Sequence, residues 1–428
     1  MGKCVKVGMV GVGKLGLPCL LAMEKHGGHE IFGFDINEEV LNKIRNRHVD
    51  YFEAGVNEYL LTSKIKVSND LKEIVTNCDI IFIAVQTPHE TEFEGITPLG
   101  LDRRDFSYEY LSKAIDSICA EICEDITSCP TIVVISTVLP GTMEKVVIPK
   151  LNATGKKINF IYNPYFIAMG TTIYDFLNPE FLLVGKGSNS DTDILRKTYN
   201  FLEANIVEMS IASAELAKVA YNTFIGLKLT FVNALMEICE KTAADVDEVT
   251  GALLKSNKRL ISGAYMSAGM GDGGGCHPRD QIAMSWLAKS IDLSSDIFEN
   301  VALTRDSQTK WLSETLVNRS TESQLPIAIL GRSYKADVPL TIGSPVLLME
   351  HYLKELGSTF KSYDPFDTGS ETFPNYKCVA FLGMNHKVYK KFKLIPGSIV
   401  VDPWNFVEDA GDGVKVVKIG RNNQSRIL

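Results

Sequence analysis

The chain has 428 residues, of which 45% are hydrophobic and 22% are charged. This is an ordinary globular composition, and the length is sufficient for two or three domains that each bury a core. The formal net charge is −8, and no block of lysine and arginine is present that could follow a phosphate backbone. We therefore expect no nucleic-acid partner, although a single pocket could still bind a small anion.

The cysteines and the apolar segments exclude further classes of protein. The nine cysteines form no CxxC pair and no Cys/His cluster with zinc-ligand spacing, so we expect reduced thiols and no metal site. The chain enters an apolar strand at Val5, without the basic and apolar regions of a signal peptide. No apolar run approaches the roughly 18 residues of a membrane span. These features predict a cytoplasmic protein with no membrane partner.

Short apolar strands alternate with helical patterns in the first part of the chain, which is typical of a parallel, doubly wound sheet. The strands are predicted at 5–10, 31–34, 80–85, 131–136 and 158–162. A long helical pattern then runs from about 210 to 241, and a second from about 280 to 316.

Strand and helix patterns alternate again after the polar stretch 318–324. Strands are predicted there at 327–330, 360–363, 378–382 and 399–401. The sequence thus predicts an α/β fold, followed by a helical region and a second α/β region. The predicted domains are 1–208, 209–318 and 319–428.

Gly11, Gly13 and Gly16 form a GxGxxG pattern between the first strand and the first helix. Such glycines let the backbone and the helix N terminus approach a pyrophosphate, and Asp35 at the end of the second strand can accept hydrogen bonds from the adenosine ribose. A carboxylate there repels the 2′-phosphate of NADP, and the next two residues provide no arginine to bind it. The first domain is therefore predicted to bind NAD. A glycine-rich turn with a solvated aspartate is the alternative.

A second glycine-rich segment, 269–280, surrounds a cysteine. Its glycines would let a substrate approach the thiol closely. Cys276 is a candidate nucleophile whose pKa His277 and Arg279 could lower, and Asp280 could hold a water or act as a base. A glycine-rich hinge that happens to contain a cysteine is the alternative.

Lys218 and Asn222 are spaced on the long predicted helix so that they share one face. On an otherwise apolar helix, a lysine and an amide could stabilise a developing oxyanion. A solvated lysine with a cap-like asparagine is the alternative.

These motifs, in this order over nearly the whole chain, resemble the nucleotide-sugar dehydrogenase family, which includes UDP-glucose 6-dehydrogenases and GDP-mannose dehydrogenases. Segments 85–88 and 136–142 resemble the family's VPTP and STVxPGT segments. Segment 214–222 is similar to its central helix, 271–280 to its GFGGxCxxKD loop, and 331–345 to the opening of its third domain.

The resemblance implies two Rossmann-like domains joined by a long central helix. It implies NAD on the first domain, a nucleotide sugar largely on the last, and a homodimer built around the helix. It also implies the four-electron oxidation of a primary alcohol of the sugar to an acid, through a thioester on Cys276. Lys218 and Asn222 would polarise the reacting oxygen, and Asp280 and Thr137 would hold a water.

Three further residues take a role from the resemblance alone. Thr87, in the segment that resembles VPTP, would contact the cofactor. Lys335 would contact the nucleotide sugar, and Arg259, close to the family's arginine that reaches across the dimer, would do so as well.

The chain departs from the family pattern at several positions. The two glutamates of the family's NPEFLxEG segment are Tyr165 and Met169 here. The first of them is assigned to thioester hydrolysis, and a phenol with its usual pKa of about 10 would be a weaker base at that place in the substrate site. Ile342 and Trp404 stand where the family often has arginines, and each lost arginine removes a charge-assisted contact. Trp404 could stack on a base or sugar, or be a core or interface residue.

Two other functions therefore stay open. A two-electron dehydrogenase of the β-hydroxyacid type would share the first domain and the Lys/Asn pair, but would use one NAD per substrate and would not need Cys276. A non-catalytic protein that binds NAD and a nucleotide sugar is consistent with the missing acids and arginines.

Overall fold

The computed structural model describes residues 4–51, 53–88, 90, 104–122, 129–188, 190–242, 244–262, 267–274, 277–366 and 373–420. Of residues 229, 240, 277, 279, 280 and 283 it describes only the backbone. The chain forms two compact units, Met1–Gly226 and Leu227–Leu428. The division into three domains at 208 and 318 stays a prediction.

The first unit contains an eight-stranded sheet. Its strands are β1 (Lys6–Val10), β2 (Glu30–Phe34), β3 (Lys66–Ser68), β4 (Ile80–Ile83), β5 (Thr131–Val134), β6 (Phe160–Tyr162), β7 (Leu182–Lys186) and β8 (Ile206–Ser210). They are arranged in the order β3-β2-β1-β4-β5-β6-β7-β8. The first six strands are parallel, in the order that is typical of dinucleotide-binding domains. Strand β7 is antiparallel to β6, and β8 is parallel to β7.

Helices cover both faces of this sheet. They are α1 (Gly16–Gly27), α2 (Glu38–Arg45), α3 (Val56–Thr62), α4 (Leu71–Asn77), α5 (Glu109–Glu121), α6 (Ile148–Ala153), α7 (Thr172–Leu177) and α8 (Asp193–Thr198), with a π-helical turn at Met143–Val147 before α6. Ile80 and Phe82 of β4 lie in one core, and Ile81 and Ile83 lie in the other. This is expected for a strand whose side chains alternate between two layers of helices.

Helix α9 (Ile211–Thr242) begins in the first unit and ends in the second. It is followed by α10 (Val246–Leu253), α11 (His277–Ser290) and α12 (Ile297–Ser323). The helical stretch that the sequence predicted over 280–316 is thus formed by two helices, α11 and α12. The chain turns between α11 and α12, where Asp292 has a φ of 53° and the side chain of Asp296 caps α12 by accepting the N–H of Glu299 at 2.9 Å.

The second unit contains a five-stranded parallel sheet. Its strands are β9 (Ile327–Leu330), β10 (Phe360–Tyr363), β11 (Val379–Leu382), β12 (Ile399–Asp402) and β13 (Lys415–Lys418), and helix α13 (Pro345–Glu355) follows β9. The order is β10-β9-β11-β12-β13, which is the flavodoxin-like order of doubly wound sheets. The predicted α/β fold with a long central helix is confirmed.

The polar stretch 318–324 does not separate the helical region from this sheet. Helix α12 continues through it to Ser323, and the chain turns at Gln324, which has a φ of 54°. Leu312 and Leu316 of α12 are buried in the same core as Ile327 and Ile329 of β9. The polar residues of this stretch thus lie on a helix whose preceding turns pack on the sheet, and the strand-and-helix alternation returns after it, as predicted.

The described residues contain no membrane-spanning helix and no candidate metal site, and their cysteines are not paired in disulfides. Among the described residues, no helix combines the length and the hydropathy that a membrane crossing requires. No group of three or more His, Cys, Asp or Glu side chains in this part of the chain could hold a metal ion. The described cysteines are free thiols: Cys4, Cys19, Cys78, Cys119, Cys129, Cys239 and Cys378.

Candidate active site

The glycine turn after β1 has the geometry of a pyrophosphate-binding turn. Gly11 has a φ of +91°, and a side chain there would lie 2.9 Å from the carbonyl oxygen of Ala84. A Cβ on Gly16 would clash with the carbonyl oxygen of Gly11, so α1 packs this closely only because no side chain is present. No described atom lies within 4 Å of the place where a Cβ on Gly13 would be. That open space is where a ligand phosphate can approach the backbone.

Asp35 follows β2 and bridges to the glycine turn. Its carboxylate oxygens accept the N–H of Val12 at 3.2 Å and the N–H of Asn37 at 2.9 Å. These bonds hold the carboxylate at the carboxyl end of β2, where an adenosine ribose binds in such folds. The two basic side chains of α2 form ion pairs within that helix, Lys43 with Glu39 and Arg45 with Glu38. A 2′-phosphate is disfavoured by the Asp35 carboxylate itself, which would repel it.

The segments that follow β4 and β5 are tied to each other. The hydroxyl of Thr87 donates to the carbonyl oxygen of Thr137 at 2.7 Å, and the hydroxyl of Ser136 donates to the carbonyl oxygen of Val85 at 2.5 Å. Because β4 lies between β1 and β5 in the parallel sheet, both segments leave it at the same edge as the glycine turn. The structure thus brings Thr87 and Thr137 together at this edge.

A cavity of about 490 Å³ opens in the first unit against α9. Lys218 and Asn222 line it from one face of the helix, opposite the aromatic rings of Phe166 and Phe181. Its other polar lining residues are Asp175, Asn178, Glu180 and Tyr221. Six of its twelve lining residues are polar, and its volume lies in the range of small-molecule sites.

Lys218 is a buried cation that has no counter-ion among the described residues. Its side chain is 6% exposed, and no carboxylate in the described part of the chain forms an ion pair with it. Its Nζ lies 4.6 Å from the centre of the Phe166 ring, and that ring contacts the rings of Phe181 and Tyr221. Burial lowers the pKa of Lys218 to about 8. Such a group can stabilise a developing negative charge in a dry site and exchange a proton near neutral pH.

Tyr165 lies in the hydrophobic core, not among the residues that line the cavity. Its hydroxyl is 2.8 Å from that of Tyr199, which in turn donates to Asn163 at 2.7 Å. Burial raises the pKa of Tyr165 well above its usual value, so the phenol stays neutral. This placement does not support the predicted contact of Tyr165 with substrate, because its hydroxyl is already engaged within the core. Its neighbour Phe166 lines the cavity instead.

The candidate nucleophile, Cys276, lies outside the described residues. Of His277, Arg279 and Asp280, the structure describes only the backbone, which forms the first turn of α11. The roles of these four residues therefore stay predictions.

The preceding part of the loop, 267–274, is packed tightly within the second unit. A Cβ on Gly273 would lie 2.8 Å from the side chain of Tyr334 and 3.0 Å from that of Pro345. Gly274 has a φ of +95°, and its Cβ would lie 2.9 Å from the Tyr334 ring. In this part of the loop the glycines allow the backbone to pack closely against Tyr334 and Pro345, whereas the sequence had indicated only close approach of a substrate.

Arg305 and Trp404 hold the same loop. The guanidinium of Arg305 forms an ion pair with Asp272 at 2.8 Å and donates to the carbonyl oxygen of Gly343 at 3.3 Å. Trp404 packs against Gly269, where any side chain would clash with the indole ring. This contact fits the interpretation of Trp404 as a core or interface residue.

Lys335 and Arg259 are both exposed in the second unit. Lys335 lies in a turn after β9 that is closed by a hydrogen bond from the N–H of Tyr334 to the carbonyl oxygen of Leu340, at 2.8 Å. Ile342, which replaces an arginine of the family pattern, is 66% exposed. The turn thus presents one cation and an exposed apolar side chain at the carboxyl end of β9, where doubly wound sheets bind ligands.

Comparison with known proteins decides the family. Residues 5–203 match the NAD-binding domain of the UDP-glucose/GDP-mannose dehydrogenase family, and residues 212–306 match its central domain. The chain belongs to this family. It is a nucleotide-sugar dehydrogenase with NAD as its cofactor, and the open glycine turn with Asp35 fits that cofactor.

The chain is similar to relatives that are named for two different nucleotide sugars, UDP-glucose and GDP-mannose. It is 29% identical to the UDP-glucose 6-dehydrogenase of Rickettsia bellii over 383 residues, which cover 87% of this chain and 84% of that protein. It is 28% identical to the GDP-mannose 6-dehydrogenase of Pseudomonas savastanoi pv. phaseolicola over 372 residues, which cover 84% and 81%. Its fold matches that of GDP-mannose dehydrogenase from Pseudomonas aeruginosa with a TM-score of 0.82 and 23% identity, over 96% of this chain and 99% of that one.

Three residues in or near the candidate site of this dehydrogenase were not predicted from the sequence: Phe166, Arg305 and Glu215. Phe166 belongs to the segment that contains Tyr165 and Met169, and its aromatic ring lines the cavity in place of an acid. Arg305 lies in α12, far in sequence from the loop that it holds. Glu215 stands on the helix of Lys218, and an acid on an apolar helix face was the signal that could have identified it.

Asp35→Ala is expected to weaken the preference of the enzyme for NAD over NADP by about tenfold or more, since one charge-assisted contact to the ribose is lost and repulsion of the 2′-phosphate is removed. The ratio of kcat/KM for the two cofactors measures this preference. Glu73→Ala, which removes an exposed acid from α4 of the same unit, is the control. Equal use of both cofactors by the unmodified enzyme would contradict the role of Asp35.

Proposed function

We propose that the chain oxidises the primary alcohol of a UDP-glucose-like nucleotide sugar to a carboxylate, through a thioester on Cys276. The observation that carries this proposal is the burial of Lys218, which has no ion-pair partner among the described residues, beside Asn222 in the cavity of the first unit. A cation is costly to bury without a partner, so its presence supports a reaction in which negative charge develops next to it.

In the first oxidation, the alcohol loses a hydride from carbon, and the proton on its oxygen passes to water. NAD supplies the hydride acceptor when bound. Lys218 and Asn222 donate hydrogen bonds to the alcohol oxygen as negative charge develops on it. The Phe166 ring, 4.6 Å from Nζ, keeps the lysine side chain in place and water away from it.

Cys276 makes the second oxidation possible without release of the aldehyde. The thiolate adds to the aldehyde carbon to give a thiohemiacetal, which loses a second hydride to become a thioester. Cys276 directly precedes α11 in the sequence, and a helix N terminus lowers the pKa of a cysteine. His277 and Arg279 are proposed to act in the same direction.

Water then cleaves the thioester, releasing the acid and restoring the thiol. We propose that Asp280 and Thr137 hold this water. The placement of Tyr165 supports Asp280 as the base, because the Tyr165 hydroxyl is bonded to Tyr199 and neutral. Met169, in place of the second family glutamate, is 61% exposed and has no acid–base group.

The nucleotide sugar is proposed to contact Lys335 and Arg259, and the cofactor to contact Thr87. Lys335 is exposed at the carboxyl end of β9, which supports its role. UDP-glucose is proposed as the substrate because the family and the relative from Rickettsia bellii carry that name. The GDP-mannose relatives make GDP-mannose the compound to compare with it.

The unmodified enzyme, incubated with NAD and either UDP-glucose or GDP-mannose, is expected to form two NADH and one carboxylate for each UDP-glucose consumed. NADH absorbance and mass spectrometry of the sugar product measure this stoichiometry. One NADH with a free aldehyde or ketone as the end product would place the chain among two-electron dehydrogenases. Binding of NAD and nucleotide sugar without turnover would indicate a non-catalytic binding protein.

A homodimer built around α9 is also proposed. Exposed apolar side chains on α9 support it: Leu216 (56%), Phe224 (48%), Leu227 (49%) and Met236 (53%). By their spacing, Leu216, Phe224 and Leu227 lie on one side of the helix, and an exposed apolar surface is typical of protein interfaces. Light scattering that gives the mass of a single chain at micromolar concentration would contradict the dimer.

A further inference from the structure

Glu215 is a fully buried carboxylate at the start of α9, with 0% of its surface exposed. One carboxylate oxygen accepts the N–H of Gly141 at 2.6 Å, and the other accepts the N–H of Met143 at 2.8 Å. These two N–H groups belong to the turn that leads into the helical segment 143–153. Glu215 therefore links the first turns of α9 to the chain that follows β5.

The backbone is what stabilises this buried charge. No lysine, arginine or histidine of the described chain forms an ion pair with Glu215, and Glu144 is a second acid nearby. Burial raises the pKa of Glu215, while the bonds from Met143 and Gly141 oppose that rise. A carboxylate at the N-terminal end of a helical segment is favoured by the orientation of the N–H groups there. The two bonds are thus the reason that an acid is tolerated at this buried position.

The turn 139–143 is also stabilised by hydrogen bonds that do not involve α9. The hydroxyl of Thr142 donates to the carbonyl oxygen of Leu139 at 2.6 Å, and the N–H of Leu139 donates to the hydroxyl of Tyr108 at 3.2 Å. Gly141 has a φ of +90°, which a glycine adopts readily. A turn that is braced in this way transmits a displacement of α9 to the segment before it, which contains Thr137.

Glu215 shares one face of α9 with Lys218 and Asn222, because residues one and two turns along a helix lie on the same side. We propose that Glu215 is a positioning residue, which fixes the segment of Thr137 against the face of α9 that carries Lys218 and Asn222. The inference rests on the proposed function, since it concerns the residues that polarise the alcohol oxygen and hold the hydrolytic water. It adds an acid that contacts neither substrate nor cofactor.

The first test is Glu215→Gln. Glutamine keeps the shape of the side chain but has one acceptor oxygen, so one of the two N–H groups faces an NH₂ donor and loses its partner. We expect kcat to fall by about 10- to 100-fold, the effect of a small displacement of catalytic groups. The KM for nucleotide sugar and the calorimetric Kd for NAD are expected to change by less than about threefold, since the glycine turn and Asp35 are untouched. Glu144→Gln, the same change at an exposed neighbouring acid, is expected to behave as the unmodified enzyme.

The second variant, Glu215→Asp, keeps the charge but shortens the side chain. A positioning role predicts that aspartate also loses activity, whereas an electrostatic role predicts that it keeps activity. Circular dichroism and the melting temperature show whether each variant is folded at the assay temperature. Normal kcat in Glu215→Gln overturns the proposal. Loss of the folded state in both variants also overturns it, because Glu215 would then serve stability alone.

Amide hydrogen exchange separates this inference from the proposed function. In folded Glu215→Gln, the amides of 141–143 are expected to exchange faster, and Lys218 is expected to react with acetic anhydride at a changed rate. Both are read from peptides by mass spectrometry and require no turnover. If the unmodified chain oxidises no nucleotide sugar, the proposed function fails while this measurement still tests the link. Unchanged exchange and unchanged labelling overturn the link itself.

Discussion

Lys218→Met is expected to lower kcat by about 10²- to 10³-fold, the loss that follows removal of one donor that stabilises an oxyanion. Methionine has a similar length and no charge, so it fills the space under the Phe166 ring. The affinity for NAD is expected to stay near normal, because the glycine turn and Asp35 bind it. Steady-state kinetics with the nucleotide sugar, together with the calorimetric Kd for NAD, measure the two effects.

The pH dependence follows from the lowered pKa of Lys218, about 8. Below that pH the ammonium is charged and polarises the alcohol oxygen, so kcat is expected to decline as the pH rises through about 8. The stability effect has the opposite sign. Burial disfavours the charged form, so the folded state is penalised below pH 8, and the penalty disappears as the pH rises toward the unfolded pKa of about 10.5. Lys218→Met is therefore expected to be at least as stable at pH 7 as the unmodified enzyme.

Lys72→Met, at an exposed lysine of α4 in the same unit, is the matched control and is expected to leave kcat unchanged. A kcat within threefold of normal for Lys218→Met would show that the buried ammonium does not act on the reacting oxygen. Loss of stability at pH 7 would show that contacts of the ammonium, such as the one with the Phe166 ring, outweigh the cost of its burial.

The fold could be predicted because its signals are local. Four strands of the second sheet were predicted within one residue of their observed bounds, since short apolar runs between turns indicate parallel strands. Strands β3, β7, β8 and β13 were missed. Strands β3, β8 and β13 contain polar or half-buried residues at a sheet edge or beside it, where burial imposes no continuous apolar pattern.

The site could be predicted only in part, because its residues meet through tertiary packing. The glycine turn and Asp35 have fixed places in the first βαβ unit, so their pattern alone indicates a function. Tyr165 occupies a position that the family gives to an acid, and nothing local shows that its hydroxyl bonds to Tyr199. The partner of Arg305, Asp272, is equally distant in sequence, so that ion pair could not be foreseen.

Cys276→Ser is expected to abolish acid formation, with a loss of about 10³-fold or more. A serine hydroxyl is not appreciably ionised at neutral pH and has no general base assigned to it here, so it cannot form the covalent adduct that the second oxidation requires. NAD binding is expected to stay normal, because the glycine turn and Asp35 belong to the first unit and Cys276 to the second. Cys4→Ser, which changes an exposed free thiol, is the matched control and is expected to be fully active.

Intact-mass spectrometry tests the covalent step of Cys276 directly. With the Tyr165 phenol neutral and bonded within the core, hydrolysis depends on the water that Asp280 and Thr137 are proposed to hold, so the acyl-enzyme is expected to accumulate. The unmodified enzyme should show a burst of NADH and a mass increase on the peptide that contains Cys276, and Cys276→Ser should show neither. Tyr165→Glu is not expected to restore fast hydrolysis, because it places an acid in the core. Near-normal acid formation by Cys276→Ser would refute the thioester, whereas an absent burst in the unmodified enzyme would show that Asp280 and Thr137 suffice for rapid hydrolysis.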